Sequence, residues 1–162
     1  MPKNGKQAAV LVGLVSMLTG WISWGLGLIV GAIVAREMGV MAKKNGVVVH
    51  YPLLAVAGYM GMSLTWGWGL SNSAGLLQAT PGNIFMEMGI VDRLVESTEW
   101  VFHSYPLILT ALALVYASVM LWLLSPPDQN SKGIEHYIDI DTEEAAEEAA
   151  DCLLYTSDAA DE

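Results

Sequence analysis

Charged side chains are scarce in this chain, and cysteine is almost absent. Charged residues make up 15% of the 162 residues, whereas a soluble domain carries about a quarter. The single cysteine, Cys152, allows no disulfide within the chain. No basic patch is present to neutralise phosphates, so we expect no nucleic-acid partner. Hydrophobic residues instead make up 54% of the sequence, and the composition therefore predicts a protein whose partner is the lipid bilayer.

The acidity of the chain is concentrated near its C-terminus. Six basic and five acidic side chains precede residue 127, although the net charge of the whole chain is −10. We interpret residues 126–151 as an acidic cytoplasmic linker with a short Ala/Glu helix, since the run lacks the glycine-centred loop of an EF-hand. The final stretch, CLLYTSDAADE at 152–162, reads like a translated sequencing adapter, with a genuine hydrophilic tail as the alternative. We interpret Met1 as an internal or truncated start.

Three long segments contain no Asp, Glu, Lys or Arg. They cover residues 7–35, 45–86 and 100–127, and a helix needs about 20 apolar residues to cross the hydrocarbon core. The third has no glycine or proline between residues 107 and 124, which predicts one continuous transmembrane helix. Trp122 near one end, and Trp100 and Tyr105 near the other, suit the two water–lipid interfaces.

Glycine interrupts the first two segments. The stretch GWISWGLG at 20–27 has basic flanks on both sides, and the positive-inside rule places both flanks in the cytoplasm. A re-entrant helical hairpin satisfies this rule, and one long tilted helix is the alternative. In the second segment, WGWGLSNSAG at 66–75 cannot propagate a helix in lipid, which predicts a broken transmembrane helix.

These segments predict an all-α integral membrane fold, with a re-entrant hairpin, a broken transmembrane helix and a continuous one. The predicted units are a cytoplasmic flank at 1–7, the hairpin or single helix at 8–36, a basic cytoplasmic loop at 37–50, the broken helix at 51–82, an outer loop at 83–99, the continuous helix at 100–125, the acidic linker at 126–151 and the adapter-derived tail at 152–162.

No charged side chain lies deep in an apolar segment, so dipoles would have to hold an anionic substrate. The start of a half-helix offers unpaired N–H groups, and secondary transporters place substrate and ion at such breaks. We expect Ser71, Asn72 and Ser73 to bind substrate, or a small cation such as Na⁺, with helix capping as the alternative. For Thr80 we favour helix termination over lining of the substrate cavity. We expect no cofactor and no catalytic residue, because the sequence has no nucleophile–base pair or metal-ligand cluster.

Three stretches resemble the short-chain fatty acid (acetoacetate, butyrate) transporters of bacteria, within the ion transporter superfamily. They are WGLGLIVGAIVARE at 24–37, YPLLAVAGYMG at 51–61 and LSNSAGLLQATPGN at 70–83, of which the last is the most specific. The resemblance implies one half of an inverted-repeat transporter, multi-pass in the bacterial inner membrane, whose second half is missing here. It also implies uptake of small carboxylate anions coupled to H⁺ or Na⁺, and allows a homodimer.

The resemblance places the binding groups at the hairpin tip and the broken-helix loop, here Trp24, Gly25 and residues 71–73. Family members usually have glycine in place of Asn72 and proline in place of Gly75, and Trp68 also replaces a glycine, so the exact substrate stays open. The alternative function is a non-transporting membrane subunit that uses its glycine-rich segments for helix packing.

Overall fold

The structure, a computed structural model, describes residues 2–139, and within this range it contains helices and loops and no strand. The α-helices are α1 (Gly5–Ile22), α2 (Trp24–Lys44), α3 (Tyr51–Met60), α4 (Ser73–Gln78), α5 (Ile84–Glu87), α6 (Ser97–Val101) and α7 (Ser104–Leu124). A π-helix covers Gly61–Thr65, and 3₁₀ turns cover Trp66–Trp68, Asp128–Asn130 and Ile134–His136. The adapter-like tail at 152–162 and the expected Ala/Glu helix lie outside the described residues.

Helices α1 and α2 form a helical hairpin that turns at Ser23. The backbone of Ser23 is extended, with φ −152° and ψ 135°, and it separates the two helices. The helices run antiparallel, because Gly20 near the end of α1 packs on Gly27 near the start of α2, and Ser16 lies against Gly31. The segment is therefore two helices joined by a tight turn, where the sequence had left one long helix as an alternative.

Helix α2 continues well past residue 36, where the predicted hairpin ended. The predicted boundary falls between the charged residues Arg36 and Glu37, but their side chains pair with each other at 2.8 Å within the helix. The helix ends only after Lys43 and Lys44, whose positive charges suit the negative C-terminal end of the helix dipole. Gly46, with a φ of +66°, then takes the left-handed conformation that glycine adopts without strain. Residues 37–44 thus belong to the helix and only 45–50 form a loop.

The segment after His50 is a helix that changes type and then breaks. Helix α3 begins with Pro52 in its first turn, where the missing N–H of proline costs nothing. The helix passes into the π-helix and then the 3₁₀ turn before the backbone becomes extended at Gly69, with ψ −178°. A short helix, α4, follows after Asn72. The break thus falls within the glycine-rich stretch that the sequence singled out.

The core of the bundle lies where α1 is packed by α2, α3 and α7. It consists mainly of small and medium apolar residues, including Ala8, Val12, Leu54, Ala57 and Leu121. The outward faces keep many large apolar side chains exposed, as expected of helices that lipid surrounds. Helices α1, α2 and α7 are each long and apolar enough to cross a membrane.

The two ends of the bundle differ in charge. At one end, which we call the basic end, α1 and α3 begin and α2 and α7 finish. Five of the seven lysine and arginine residues lie there: Lys3, Lys6, Lys43, Lys44 and Lys132. Residues 131–138 close this end, because the N–H of Tyr51 donates to the carbonyl of Lys132 at 2.9 Å and Ile134 is buried against Val40. The opposite end, the turn end, holds Ser23 and the break after α3.

Candidate functional site

The hairpin turn and the broken-helix loop meet at the turn end of the bundle. The backbone N–H of Trp24 donates to the hydroxyl oxygen of Ser71, with an N···O distance of 3.2 Å. The N–H of Leu70 donates to the carbonyl oxygen of Trp21 at 2.8 Å. Gly69 lies so close to the Trp21 backbone that a Cβ atom would overlap the Trp21 carbonyl. The two segments named from the sequence are thus brought into direct contact.

Asn72 caps the short helix that follows the loop. Its side-chain oxygen accepts the N–H groups of Ala74 and Gly75 at 2.7 and 3.0 Å. These are the N–H groups that a half-helix would have offered to an anion, so in this structure the capping alternative describes the contacts of Asn72. Ligand binding by Asn72 stays a prediction.

Ser73, Thr80, Trp24 and Gly25 have different environments. The Ser73 hydroxyl is exposed and makes no hydrogen bond within residues 2–139. The Thr80 hydroxyl donates to the carbonyl of Leu76 at 2.9 Å, as expected for a residue that ends α4. Trp24 is 49% exposed, and among the described residues no atom outside the helical turn of Gly25 lies within 4 Å of a Cβ atom added there. Among these residues, Ser73 offers an unpaired polar group and Trp24 an exposed ring.

Three indole nitrogens lie buried near this end without a hydrogen-bond partner in the part of the chain that the structure describes: those of Trp21, Trp68 and Trp100. The Trp100 ring packs directly on Gly75, where a Cβ atom would overlap it. The Trp21 ring meets Phe102 edge to face, with ring centres 6.1 Å apart. Buried N–H donors normally find partners, so these three groups are candidate donors to a ligand or to a further protein segment. The sequence analysis did not identify them as donors.

Two concavities border the same region. One of about 180 Å³ is lined by Asn72, Ala74, Gly75, Gln78 and Trp100. A larger one of about 430 Å³ lies beside the start of α7 and is lined in part by Glu99, Trp100 and His103. The smaller concavity borders the loop and is thus the more relevant to the residues predicted from the sequence.

Glu99 belongs to the only ion pair that the structure shows in the loop at 83–99. The two terminal nitrogens of the Arg93 guanidinium, Nη1 and Nη2, donate to the two carboxylate oxygens of Glu99 at 3.0 and 2.9 Å. This bonding lowers the pKa of Glu99 and raises that of Arg93. Both side chains are largely exposed, so the pair organises the loop and presents no unpaired charge to an anion.

Two buried hydroxyl groups in the bundle were not singled out from the sequence. The Ser16 hydroxyl donates to the carbonyl of Gly58 at 2.6 Å and accepts the N–H of Gly61 at 3.0 Å. The Thr65 hydroxyl donates to the carbonyl of Met17 at 2.6 Å. Both residues are fully buried. A serine within an apolar helix often bonds its own preceding turn, and the sequence carries no signal that these two bond a neighbouring helix.

No cluster of three or more His, Cys, Asp or Glu side chains suited to a metal ion occurs between residues 2 and 139. The proposed Na⁺ site would therefore use hydroxyl, carboxamide or backbone oxygens, and it stays a prediction.

The apolar helices of spanning length define a helical membrane protein, and comparison with known proteins identifies its family. The short chain fatty acid transporter family matches residues 1–155, so the chain belongs to this family, as the sequence resemblance predicted. A Haemophilus influenzae protein is 29% identical over 137 residues, and an Escherichia coli protein is 31% identical over 133 residues. Both are named "Putative short-chain fatty acid transporter".

Each of these alignments covers 82% of this chain but only 30% and 28% of the two relatives. The chain thus spans less than a third of the length of the curated relatives it matches. No solved structure matches the chain.

Proposed function

We propose that the chain is part of a secondary transporter that moves short-chain fatty acids, or similar small monocarboxylates, by coupling to an H⁺ or Na⁺ gradient. The observation that carries the proposal is the contact between the hairpin turn and the broken-helix loop, through Trp24 and Ser71. Irregular backbone at membrane depth persists where it is buried in protein or lines a polar cavity. Transporters place their substrate at such interrupted helices.

The polar groups near the loop suit a carboxylate. No lysine or arginine lies at the contact itself, so neutral donors would bind the anion. The exposed donor is the hydroxyl of Ser73. The indole N–H groups of Trp21, Trp68 and Trp100 are further donors that are buried and have no partner among residues 2–139. An indole nitrogen is a donor only, and hydrogen bonds to an ionised oxygen are stronger than neutral ones. The apolar rings around these donors suit a short alkyl chain.

The charges of the two ends support one orientation in the bacterial inner membrane. The basic end would face the cytoplasm under the positive-inside rule. The loop at 83–99 at the opposite end carries one arginine and four acidic residues, which suits the outer side. In this multi-pass arrangement the hairpin enters from the cytoplasm. The proposal includes a re-entrant hairpin within one half of an inverted-repeat transporter. A second half of the transporter, or a second copy of the protein, would cover the turn end.

The test is uptake of labelled butyrate and acetoacetate by the complete protein in proteoliposomes, under imposed H⁺ or Na⁺ gradients. We expect one gradient to drive accumulation, and its identity would establish the coupling ion. Protein-free liposomes provide the control. Absence of uptake under every gradient, with protein verified in the membrane, would refute transport of these substrates.

A non-transporting membrane subunit is the second candidate. It is favoured by the backbone contacts of Gly20 with Gly61 and of Gly31 with Gly58, since small residues let membrane helices approach closely. Helix packing alone, however, assigns no role to Ser73 or to the unpaired indole donors. Failure of uptake for all small carboxylates, together with co-purification of a stable membrane partner, would favour this candidate.

A further inference from the structure

The hydroxyl of Ser16 lies at the point where α3 changes into the π-helix. It bonds the carbonyl of Gly58 and the N–H of Gly61, on the two sides of this boundary. Ser16 belongs to α1 and is fully buried. A side chain that inserts into the hydrogen-bond ladder of a helix is a known cause of local distortion. Ser16 therefore supplies, from a neighbouring helix, the hydrogen bonds that this distortion requires.

At this boundary the helix backbones approach so closely, through glycines, that no other hydrogen-bond partner fits in place of the Ser16 hydroxyl. A Cβ atom at Gly31 would lie 2.9 Å from the Ser16 hydroxyl oxygen, and one at Gly61 would lie 3.0 Å from it. A Cβ atom at Gly20 would lie 2.5 Å from the backbone of Gly61. Three helical segments thus touch through their backbones around one hydroxyl. A water molecule needs a roomy polar site, so it is a poor replacement for this hydroxyl.

The other end of the π-helix is also bonded to α1. The Thr65 hydroxyl donates to the carbonyl of Met17 at 2.6 Å, and further along Leu70 donates to the carbonyl of Trp21 at 2.8 Å. Two turns of α1 therefore bond the broken helix. The first, with Ser16 and Met17, bonds the two ends of the π-helix, and the next, with Trp21, bonds the loop.

The π-helix affects where the loop points. A π turn closes its hydrogen bond one residue later than an α turn, and each residue of an α-helix turns the chain by about 100°. If the π-helix relaxed into α-helix, the residues after it would rotate by about that angle. Ser71 would then leave the backbone of Trp24, to which it bonds now.

We propose that Ser16 and Thr65 are positioning residues, whose hydroxyls hold the π-helix and thereby bring the loop at 69–73 to the hairpin turn. Neither side chain contacts the substrate in this account, and both act through the backbone of the broken helix. The transport effects rest on the proposed function, whereas the structural effect does not.

The experiment compares Ser16→Ala and Thr65→Val with two controls in the complete protein. Ser118→Ala is the matched control, because the Ser118 hydroxyl bonds only the carbonyl of Leu114 in its own helix, at 2.7 Å. Thr65→Ser retains the hydroxyl. We measure amide hydrogen exchange at Leu70 in lipid nanodiscs, and KM and kcat for labelled butyrate uptake in proteoliposomes.

In Ser16→Ala and Thr65→Val we expect exchange at Leu70 to accelerate about tenfold, with little change in the middle of α7, because only the local opening becomes easier. The KM for butyrate should rise about tenfold, with a smaller change in kcat, because the loop at 69–73 is no longer held at the hairpin turn. Ser118→Ala and Thr65→Ser should resemble the unaltered protein.

Unchanged exchange at Leu70 in both hydroxyl-deletion variants would overturn the proposal. An equal increase in exchange throughout α1 and α7 would also overturn it, because the hydroxyls would then contribute only to overall stability. If the unaltered protein transports no carboxylate substrate, the proposed function fails. The hydrogen-exchange comparison alone then decides the role of the two hydroxyls.

Discussion

Gly31 and Gly25 lie on the same helix in opposite environments, and alanine at each position tests the close approach of α2 to α3. A Cβ atom at Gly31 would overlap the carbonyl oxygen of Gly58 and would lie 2.9 Å from both the Gly58 carbonyl carbon and the Ser16 hydroxyl oxygen. At Gly25 no atom of residues 2–139 outside its own helical turn lies within 4 Å of the added Cβ atom. The two substitutions therefore add the same atom to the same helix, with and without a backbone neighbour.

Two effects of opposite sign set the expected magnitudes. Alanine is favoured over glycine in a helix by about 1 kcal/mol, which applies at both positions. Overpacking costs about 1–3 kcal/mol, and the upper end applies at Gly31, because the obstacle is backbone and cannot rotate away. We expect Gly25→Ala to leave the free energy of unfolding unchanged or to raise it by about 1 kcal/mol. We expect Gly31→Ala to lower it by about 2 kcal/mol.

The assay is SDS-induced unfolding in mixed micelles, followed by the fluorescence of the six tryptophans. Gly58→Ala approaches the same contact from the other helix, since its Cβ atom would lie 2.5 Å from the Gly31 carbonyl oxygen, and it should also destabilise. If Gly31→Ala unfolds at the same SDS fraction as Gly25→Ala, then α2 and α3 do not touch at this point and the packing account is wrong.

Ser73→Ala should raise the KM for butyrate several-fold, because the proposal makes its exposed hydroxyl a donor to the substrate. The amount of protein in the membrane should stay constant, because this hydroxyl makes no hydrogen bond among residues 2–139. An unaltered KM would remove Ser73 from the site. Asn72→Ala should lower the free energy of unfolding by about 1 kcal/mol, and Asn72→Ser by less, because only alanine removes the cap; equal stability of the two variants in SDS would contradict the capping role. The pKa of Glu99 should fall below 4.5 because Arg93 bonds its carboxylate. Its contribution to stability is therefore present above pH 4.5 and is lost as the pH falls through the lowered pKa; a ¹³C NMR titration that matches that of an Arg93→Gln variant would exclude the pair.

Composition and hydrophobic pattern were sufficient for the class of protein, and a resemblance in three stretches was sufficient for its family. The uncharged runs are long enough to cross a membrane, and the chain has little amphipathic sequence to cover them, which predicted an all-helical membrane chain. The helices of spanning length agree with this. The LSNSAGLLQATPGN stretch at 70–83 predicted the family that matches residues 1–155. The glycines and small polar residues after Trp66 also marked the position of the break, because such residues do not continue a helix.

The local sequence pattern was not sufficient to predict where helices end or which residues form hydrogen bonds with each other. The charges of Arg36 and Glu37 suggested a boundary, but charges that pair with each other can remain within a helix. Nothing adjacent to Ser16 in the sequence indicates that its hydroxyl bonds Gly58 and Gly61, which follow it by 42 and 45 residues.

The same distinction applies to the candidate site. The sequence identified the two residues separately: Ser71 from the interruption of its apolar run, which is visible locally, and Trp24 from the resemblance to the transporter family. Their contact across 47 residues depends on how closely α1, α2 and α3 pack. That packing depends on which glycines face each other across the helix contacts. The facing pairs are determined by the rotation and crossing of the helices, which cannot be read from residue composition. Folding thus brings two breaks in the hydrophobic pattern together into one candidate site.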